Sequence, residues 1–411
     1  SSKDLLKLKV IDEIIPEPLG GAHRDRDLML DNVRESISKN LNQYKEMTSE
    51  DIMNERKNKF LKIGRNDGFM NNAEDLSNLT IKKNNFDNIF KSKKLLFVIG
   101  VGLLYGISGT LNLADLTSRI SDLSNNKALI AGFVFMIIGI MVKAAVFPLH
   151  IWLPRAYAYA PSAVSVLLAA TATKASLYIL ARILFTVFEN SENLINNTLV
   201  FVILPLSIIA MFAGTIMAIY EKDIKRLLAH SSVAQIGYIT LAFAIGTKAS
   251  IAAGFVHMFN HALIKGGLFI AITSISFYIK KRVTINNLSG LGRAMPITFF
   301  CFVLCSLSLA GLPLTAGFIS KLYLIKASIS ADGIWIAILI LISSALSVVY
   351  LWKMIEIMWM REGEKIVINE NPKIYLSLII ITFLNIYFGL DATLVVNGSF
   401  EAAEKLIGNL K

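Results

Sequence analysis

Long apolar stretches separated by short charged loops dominate the chain from about residue 95 onward. Nine of them are long enough to cross a bilayer core, which takes about 20 helical residues. They lie at 95–114, 129–149, 162–188, 198–219, 227–246, 250–278, 297–327, 334–360 and 374–391. Each is apolar around its whole circumference, and spans in lipid must satisfy their backbone hydrogen bonds internally. The pattern therefore predicts an all-α fold class, a polytopic membrane helix bundle.

The first 94 residues follow a different pattern. They hold 34 of the 71 Lys, Arg, Asp and Glu residues, in nearly equal numbers of each sign (18 basic, 16 acidic). This predicts a short, α-helical soluble segment at 1–94 in front of a transmembrane domain at 95–411. The chain begins SSKDLLKLKV, without Met or an apolar signal core, so we expect it to begin inside a longer protein.

Most of the net charge of +11 comes from loops between the apolar stretches. One side carries Lys91, Lys93, Lys94, Arg155, Lys222, Lys225, Arg226, Lys280, Lys281, Arg282, Arg293, Arg361, Lys365 and Lys373, and the opposite side Arg119, Lys127, Arg182 and Lys248. The basic side is expected to face the cytoplasm. We predict a multi-pass protein of the bacterial inner (plasma) membrane, with a cytoplasmic N-terminal segment and the C-terminus outside. Nucleic-acid binding is not expected, because the N-terminal segment mixes signs.

Proline and glycine interrupt two of the apolar stretches. The second stretch runs into Phe147-Pro148-Leu149-His150-Ile151-Trp152-Leu153-Pro154, and the seventh contains Ala310-Gly311-Leu312-Pro313-Leu314-Thr315-Ala316-Gly317. Proline removes a backbone donor and clashes with the preceding turn, so both helices should be broken. The residues that mark the breaks are Pro148, Pro154, Gly311, Pro313 and Gly317. Paired broken helices indicate a transporter built from inverted repeats, although proline kinks also occur in other membrane proteins.

Three lysines lie inside the apolar stretches, where a charge is costly and indicates function. Lys174 is about twelve residues from either end of its stretch, too deep for its stem to reach an interface easily. Lys143 is only five residues before Pro148, so function and snorkelling to an interface both stay open. Lys321 follows the second break by one to two turns, and we interpret it as functional. We interpret Lys326, Arg182 and Lys353, near span ends, as snorkelling residues.

His257, His261 and Lys265 recur every four residues, which places them on one face of a helix. Because imidazole changes its charge near neutral pH, such a row can pass protons along through waters and hydroxyls. A structural stripe against polar neighbours and a metal or haem site are the alternatives. The metal site lacks the usual third ligand. Cys301 and Cys305 form neither a disulfide framework nor a CxxC site, and we expect no metal and no cofactor.

Several long motifs resemble the antiporter-like subunits shared by Mrp-type cation/proton antiporters and respiratory complex I. They are Val142 to Pro154, Ala156 to Ser165, Asp223 to Ser232, His257 to Lys265, and Gly311 to Lys321. The resemblance as a whole extends over essentially all of 95–391. The run Ala-Tyr-Ala-Tyr-Ala-Pro-Ser and the lysine at 321 are most similar to the D-type subunits of Mrp antiporters, with complex I subunits of this type as the close alternative.

The resemblance implies a role for each of six residues. Lys143 would match the lysine of the first broken helix, Lys174 the lysine that links two half-channels, and Lys321 the lysine of the second broken helix. His257, His261 and Lys265 would fall on the central relay. In the family, a preceding helix carries a glutamate that partners the Lys143-type lysine. The stretch 95–114 contains no acidic residue, so Lys143 lacks that partner, and we expect the 411-residue chain by itself not to couple the two half-channels.

The N-terminal segment resembles an unrelated family. Val10 to Asp25 is similar to the C-terminal part of the acetyl-CoA carboxylase carboxyltransferase alpha subunit, and Leu30 to Gly64 to its terminal helix pair. From the residue types alone, Gly20-Gly21 is simply a turn before a helix. That family's acyl-CoA and oxyanion-binding segments lie upstream, so the resemblance implies a non-catalytic tail. We interpret the chain as a chimera, from a fused or misassembled reading frame, joined within 70–95.

These features predict a transporter subunit rather than an enzyme. The predicted function is translocation of protons and monovalent cations within a multi-subunit Na+/H+ antiporter, with other membrane subunits and the lipid bilayer as partners. A proton-pumping subunit of complex I is the first alternative. A membrane-anchored carboxyltransferase, inactive as a fragment, is disfavoured because an anchor needs one or two spans and no buried lysines. A structural membrane scaffold is disfavoured by charge at mid-bilayer.

Overall fold

A computed structural model of the chain describes residues 13–16, 25–45, 47–55, 86–121, 126–279, 282–362, 370 and 372–407. It divides into two compact units, Ser1–Asp87 and Asn88–Lys411. The described part of the first unit contains helix α1 (Arg26–Tyr44) and a short helix at 49–55. The Asp25 side chain caps α1 by accepting a hydrogen bond from the backbone N–H of Leu28 at 3.1 Å. The Gly20-Gly21 turn and positions 70–85 of the junction lie outside the described residues.

The described residues of the second unit form helices joined by short loops, and they contain no strand, only one isolated backbone bridge between Asp223 and Thr284. Its longer helices are α2 (Phe86–Ser108), α3 (Leu113–Ile120), α4 (Lys127–Ala144), α5 (Trp152–Tyr159), α6 (Ser162–Val187), α7 (Glu192–Tyr220), α8 (Ile224–Ile245), α9 (Lys248–Ile279), α10 (Pro296–Ala310), α11 (Ala316–Ser330), α12 (Ile334–Trp359), α13 (Pro372–Leu390) and α14 (Thr393–Ile407), and two short helices, Ile285–Leu288 and Leu291–Ala294, lie between α9 and α10. The predicted all-α fold class is therefore confirmed.

Six of the described helices, α4, α6, α7, α8, α9 and α12, are long and apolar enough to cross a membrane. Two bent pairs raise the number to eight if each pair is one span: α2 with α3, bent by 64°, and α13 with α14, bent by 74°. Helix α10 is shorter, and α11 follows it after a break. Every one of the nine predicted stretches corresponds to a helix, although the seventh is two helices.

The first predicted break lies between α4 and α5. Helix α4 ends because Ala145 adopts a left-handed conformation, with φ of 57°, and Pro148 follows in the loop. The indole N–H of Trp152 donates to the carbonyl oxygen of Val142 at 2.8 Å, which satisfies one of the carbonyls that a helix end leaves free. Pro154 lies in the first turn of α5 rather than in the loop, at a position where a helix tolerates the missing N–H.

The second predicted break lies between α10 and α11. Helix α10 ends at Gly311, whose φ of 91° belongs to the left-handed region that favours glycine. Pro313 lies in the loop, and α11 begins at Ala316. At Gly317, an added Cβ would lie 1.8 Å from the carbonyl oxygen of Ser308. Only glycine therefore allows α11 to begin directly against the end of α10, and this contact positions Lys321.

The C-terminal helix α14 is absent from the predicted stretches. It buries Val395, Val396, Ala403 and Leu406, whereas Glu404 is exposed and pairs with Lys248 at 3.0 Å. An apolar stripe on one face suits a helix that packs on another helix. Because α14 is apolar on that face only, it lacks the all-round apolar character that predicts a membrane-spanning stretch. Helix α14 packs against α9, the central helix, which also contacts α6, α8, α10, α11 and α13.

Candidate functional site

Five of the six titratable residues predicted for the site lie buried in the membrane unit, each with 7% or less of its surface exposed. They are Lys174 on α6, His257, His261 and Lys265 on α9, and Lys321 on α11. Helix α9 packs against both α6 and α11. One helix, α9, therefore lies between the other two lysines, Lys174 and Lys321. We call its three nitrogen side chains, His257, His261 and Lys265, the central row.

The imidazole of His257 is hydrogen-bonded on both sides. Its Nε2 lies 3.0 Å from Oε1 of Gln235 on α8, and its Nδ1 lies 2.8 Å from Oγ of Ser320 on α11. The same hydroxyl is 3.0 Å from the carbonyl oxygen of Gly317. When Gln235 accepts from Nε2, the Ser320 hydroxyl either donates to Nδ1, or accepts from it while donating to Gly317. Both the neutral and the protonated imidazole are therefore satisfied at this position.

His261 lies one turn along α9 and stacks on His257, with ring centroids 6.1 Å apart and planes 4° from parallel. It is fully buried, and neither ring nitrogen has a hydrogen-bond partner among the described residues. Lys174 and Lys265 both interact with this ring electrostatically. Buried polar groups without a protein partner usually bond to water. The position therefore suits a ring that exchanges protons with neighbouring groups through water.

Lys265 is held by helix α8. Its ammonium donates to the carbonyl oxygen of Leu228 at 2.8 Å and to the hydroxyl of Ser231. The Ser231 hydroxyl in turn donates to the carbonyl oxygen of Leu228 at 2.9 Å. Neutral oxygens, rather than a carboxylate, therefore solvate this fully buried ammonium group.

Lys321 points back to the end of α10. Its ammonium donates to the carbonyl oxygens of Leu309 and Ala310, both at 2.9 Å, and to Oγ of Ser344 on α12 at 2.8 Å. The ring of Tyr238 on α8 lies 5.4 Å from Nζ, close enough for a cation–π contact. The second helix break thus supplies two of the three oxygens around this lysine.

Lys174 follows a π-helical turn, Leu168–Ala172, inside α6. Its ammonium donates to the carbonyl oxygen of Ala169 within that turn. A second π turn, Ile183–Val187, ends the same helix. Such turns disturb the regular hydrogen-bond ladder and often occur at functional positions. Nothing in the residue types of α6 predicts them.

Lys143 differs from the other five residues. It lies near the end of α4 beside the first break, as predicted, but its side chain is exposed. It makes no hydrogen bond or ion pair with another described residue. The structure therefore does not join Lys143 to the central row.

The five buried residues form no ion pair with Asp or Glu among the residues that the structure describes. Ion pairs of the membrane unit lie near helix ends, between Asp115 and Arg119, Asp223 and Arg282, Lys248 and Glu404, and Glu356 and Arg361, and Glu221 pairs with His230 when that imidazole is protonated. No group of three or more His, Cys, Asp or Glu residues that could hold a metal ion occurs in the described part of the chain. The site offers titratable nitrogens and neutral oxygens, which suit proton transfer better than divalent-metal binding.

Five further residues belong to the site and were not predicted from sequence. They are Ser231, Gln235 and Tyr238 on α8, Ser320 on α11 and Ser344 on α12. Serine and tyrosine are too common in membrane helices to be singled out by type. Gln235 is a polar amide within an apolar stretch, and this contrast is the one feature of the sequence that indicates a role for it.

A bundle of long apolar helices that contains two breaks and a row of buried nitrogen side chains is the architecture of a polytopic membrane protein. The family model described as "NADH:quinone oxidoreductase/Mrp antiporter, TM" matches residues 85–347. The chain belongs to this family.

The relatives come from both branches of that family. The chain is 40% identical over 261 residues to the N subunit of NADH-quinone oxidoreductase from Desulforudis audaxviator, and 29% identical over 326 residues to the D subunit of the Na(+)/H(+) antiporter from Alkalihalophilus pseudofirmus. These matches cover 63% and 78% of this chain, but only 51% and 64% of the two relatives. The fold matches a chain in the Mrp complex of Dietzia sp. DQ12-45-1b with a TM-score of 0.70 at 25% identity, covering 78% of this chain and 67% of that one.

The N-terminal segment matches a separate family. The model described as "Acetyl co-enzyme A carboxylase carboxyltransferase-like" covers residues 1–64. The alpha subunit of the acetyl-coenzyme A carboxylase carboxyl transferase of Pelagibacter ubique is 62% identical over 111 residues, which are 26% of this chain and 30% of that relative. The predicted chimera of two unrelated families is confirmed.

Proposed function

We propose that the membrane unit translocates protons and monovalent cations as one subunit of a multi-subunit Na+/H+ antiporter. The observation that carries this proposal is the hydrogen bonding of His257. Gln235 and Ser320 satisfy its ring in both protonation states, so a proton is gained or lost there without leaving a buried polar group unpaired. A purely structural histidine needs partners for one state only.

The arrangement around His257 supports a relay in both directions. Towards α11, Ser320 is adjacent to Lys321 in sequence and bonds to the imidazole. Towards α6, His261 stacks on His257 and interacts electrostatically with Lys174 and Lys265. Because every member of the row is neutral when deprotonated, a proton passing along the row moves a single positive charge through the bundle.

A proton-pumping subunit of complex I is the second candidate function. The 40% identity to the N subunit of the Desulforudis audaxviator oxidoreductase favours it, whereas the match to the antiporter relative extends over more of the chain. Both candidates use the same row, and they differ in whether sodium ions drive the proton movement. In either case we propose that other membrane subunits surround this multi-pass protein, because the relatives are subunits of larger complexes.

A hybrid antiporter tests the proposal. In the D subunit from Alkalihalophilus pseudofirmus, the matching part is replaced by residues 88–411 of this chain, and the remaining antiporter subunits are co-expressed in a sodium-sensitive bacterium. We expect the assembled hybrid to dissipate an imposed pH gradient in inverted membrane vesicles when sodium is added, measured with a pH-sensitive dye. An assembled hybrid that leaves the gradient unchanged on sodium addition contradicts sodium-coupled transport and favours the complex I alternative.

The orientation of the chain is a separate prediction. The concentration of basic residues on one side supports a cytoplasmic 280–293 loop and a C-terminus on the outside. Single cysteines are introduced at Arg293 and at Leu390 in a Cys301→Ser, Cys305→Ser background. We expect a membrane-impermeant maleimide to label the cysteine at 390, but not the one at 293, in intact cells. Labelling in the opposite sense means that the bundle is inverted.

A further inference from the structure

The ammonium of Lys321 lies where a free cation would be expected to bind. Three oxygens surround it within 2.9 Å: the carbonyl oxygens of Leu309 and Ala310 and the hydroxyl of Ser344. The Ser344 hydroxyl donates to the Ala310 carbonyl at 2.7 Å, so its lone pairs remain directed at the ammonium. The face of Tyr238 lies on a further side. We call these three oxygens the oxygen cage.

Two of the cage oxygens belong to the last turn of α10. Carbonyls there have no intrahelical partner, and the helix dipole gives this end a partial negative charge of about half an electron. Helix ends exposed by a break within a membrane coordinate sodium in other transporters. The cage therefore attracts a cation without a carboxylate, and its present occupant is a cation that belongs to the chain itself.

The backbone at Gly311 allows the lysine to reach the cage. An added Cβ at position 311 would lie 2.9 Å from Cδ and 3.4 Å from Nζ of Lys321. The lysine stem thus lies directly against the break, and its ammonium fills the space between α10 and α12. An alkali-metal cation and this ammonium cannot occupy the oxygen cage together.

We propose that the oxygen cage is a binding site for a dehydrated alkali-metal cation, with which the ammonium of Lys321 competes. This inference rests on the proposed cation translocation and assigns it a location. When Lys321 gives up its proton, the neutral amine no longer holds the cage and a metal cation enters. When Lys321 regains a proton, the ammonium displaces that cation. Competition at one site therefore exchanges a proton for a cation.

The groups around Lys321 allow this exchange. The titratable side chains that interact with it are Tyr238 from α8 and His257 from α9. Helices α10, α12 and α13 also pack against α11, and no ion pair among the described residues joins any of these helices to Lys321. Ser320 connects α11 to the ring of His257. A proton leaving Lys321 therefore has an acceptor in the central row, and no fixed negative charge retains the metal cation permanently.

Direct binding measurements on the purified 411-residue chain in detergent test the proposal. Radioactive sodium and rubidium, the latter a potassium analogue, are measured by equilibrium dialysis from mildly acidic to alkaline pH, with choline balancing the ionic strength. We expect binding to the wild-type chain to rise with pH. Lys321→Met empties the cage, so it should bind one of the two cations at least about tenfold more tightly than wild type and lose the pH dependence. Adding Ser344→Ala should weaken that binding about tenfold.

Lys326→Met is the matched control, because it removes a lysine from the same helix without touching the cage. Binding by Lys321→Met that does not exceed that of Lys326→Met overturns the proposal. If Lys321→Met does not yield folded protein, Ser344→Ala alone decides: unchanged cation binding at alkaline pH overturns the proposal, and weakened binding supports it. The binding assay requires neither partner subunits nor coupled transport. If the purified chain binds a cation at the oxygen cage but the hybrid antiporter does not transport, only the proposed function is refuted.

Discussion

Lys174→Met in the hybrid antiporter is expected to abolish sodium-dependent proton movement while the complex still assembles. Lys174 is buried beside a π turn, and its ammonium donates to the Ala169 carbonyl rather than to a carboxylate. It interacts electrostatically with His257 and His261, which connects α6 with the central row. Methionine keeps the apolar stem and removes only the group that carries the proton. Loss of a proton carrier typically costs about 100-fold or more in rate.

The measurement is the rate at which an imposed pH gradient collapses after sodium is added to inverted vesicles, with complex abundance checked by co-purification of the other subunits. Arg182→Met is the matched control, since it removes an exposed positive charge from the last part of the same helix. We expect the control to retain most of the wild-type rate. Normal sodium-dependent flux in the Lys174→Met hybrid removes the basis for connecting Lys174 with the central row.

The sequence predicts the architecture well because the bilayer imposes strict conditions on it. A span must be apolar over a fixed length, and this identifies every long helix of the bundle. Proline marks the first break, and proline and glycine together mark the second, where the backbone at Gly311 adopts a conformation that most other residues avoid. Lys174 stands out by its depth alone. These features depend on composition and spacing, which a single sequence displays directly.

The surroundings of the row depend instead on how neighbouring helices are aligned. Gln235 and His257 form a hydrogen bond although they are 22 residues apart in the sequence, and Ser344 and Lys321 do so at a separation of 23 residues. Nothing in the local pattern distinguishes these side chains from others of the same type that serve packing. The exposure of Lys143 is also a tertiary property: the residues around it suggest either burial or snorkelling. Helix α14 escapes notice because only one of its faces is apolar.

Gly317→Ala is expected to prevent stable folding of the membrane unit. The new Cβ would lie 1.8 Å from the carbonyl oxygen and 2.8 Å from the carbonyl carbon of Ser308. Both are backbone atoms, so no side-chain rotation relieves the overlap, and α11 has to move away from the end of α10. That movement also carries Lys321 away from the carbonyls of Leu309 and Ala310. We expect a loss of about 3 kcal/mol or more, at the upper end of overpacking effects.

Thermal melting of the detergent-solubilised 411-residue chain, followed by size-exclusion chromatography of a fluorescent fusion, measures this effect. Gly398→Ala in helix α14 is the matched control, because nothing lies within 4 Å of an added Cβ there. Alanine favours a helix over glycine by about 1 kcal/mol, so the control should melt at the same temperature as wild type or slightly above it. Gly317→Ala should be recovered as aggregate or melt far below both. Equal melting of the two variants would mean that α11 does not begin against Ser308, and the geometry assigned to the second break would have to be abandoned.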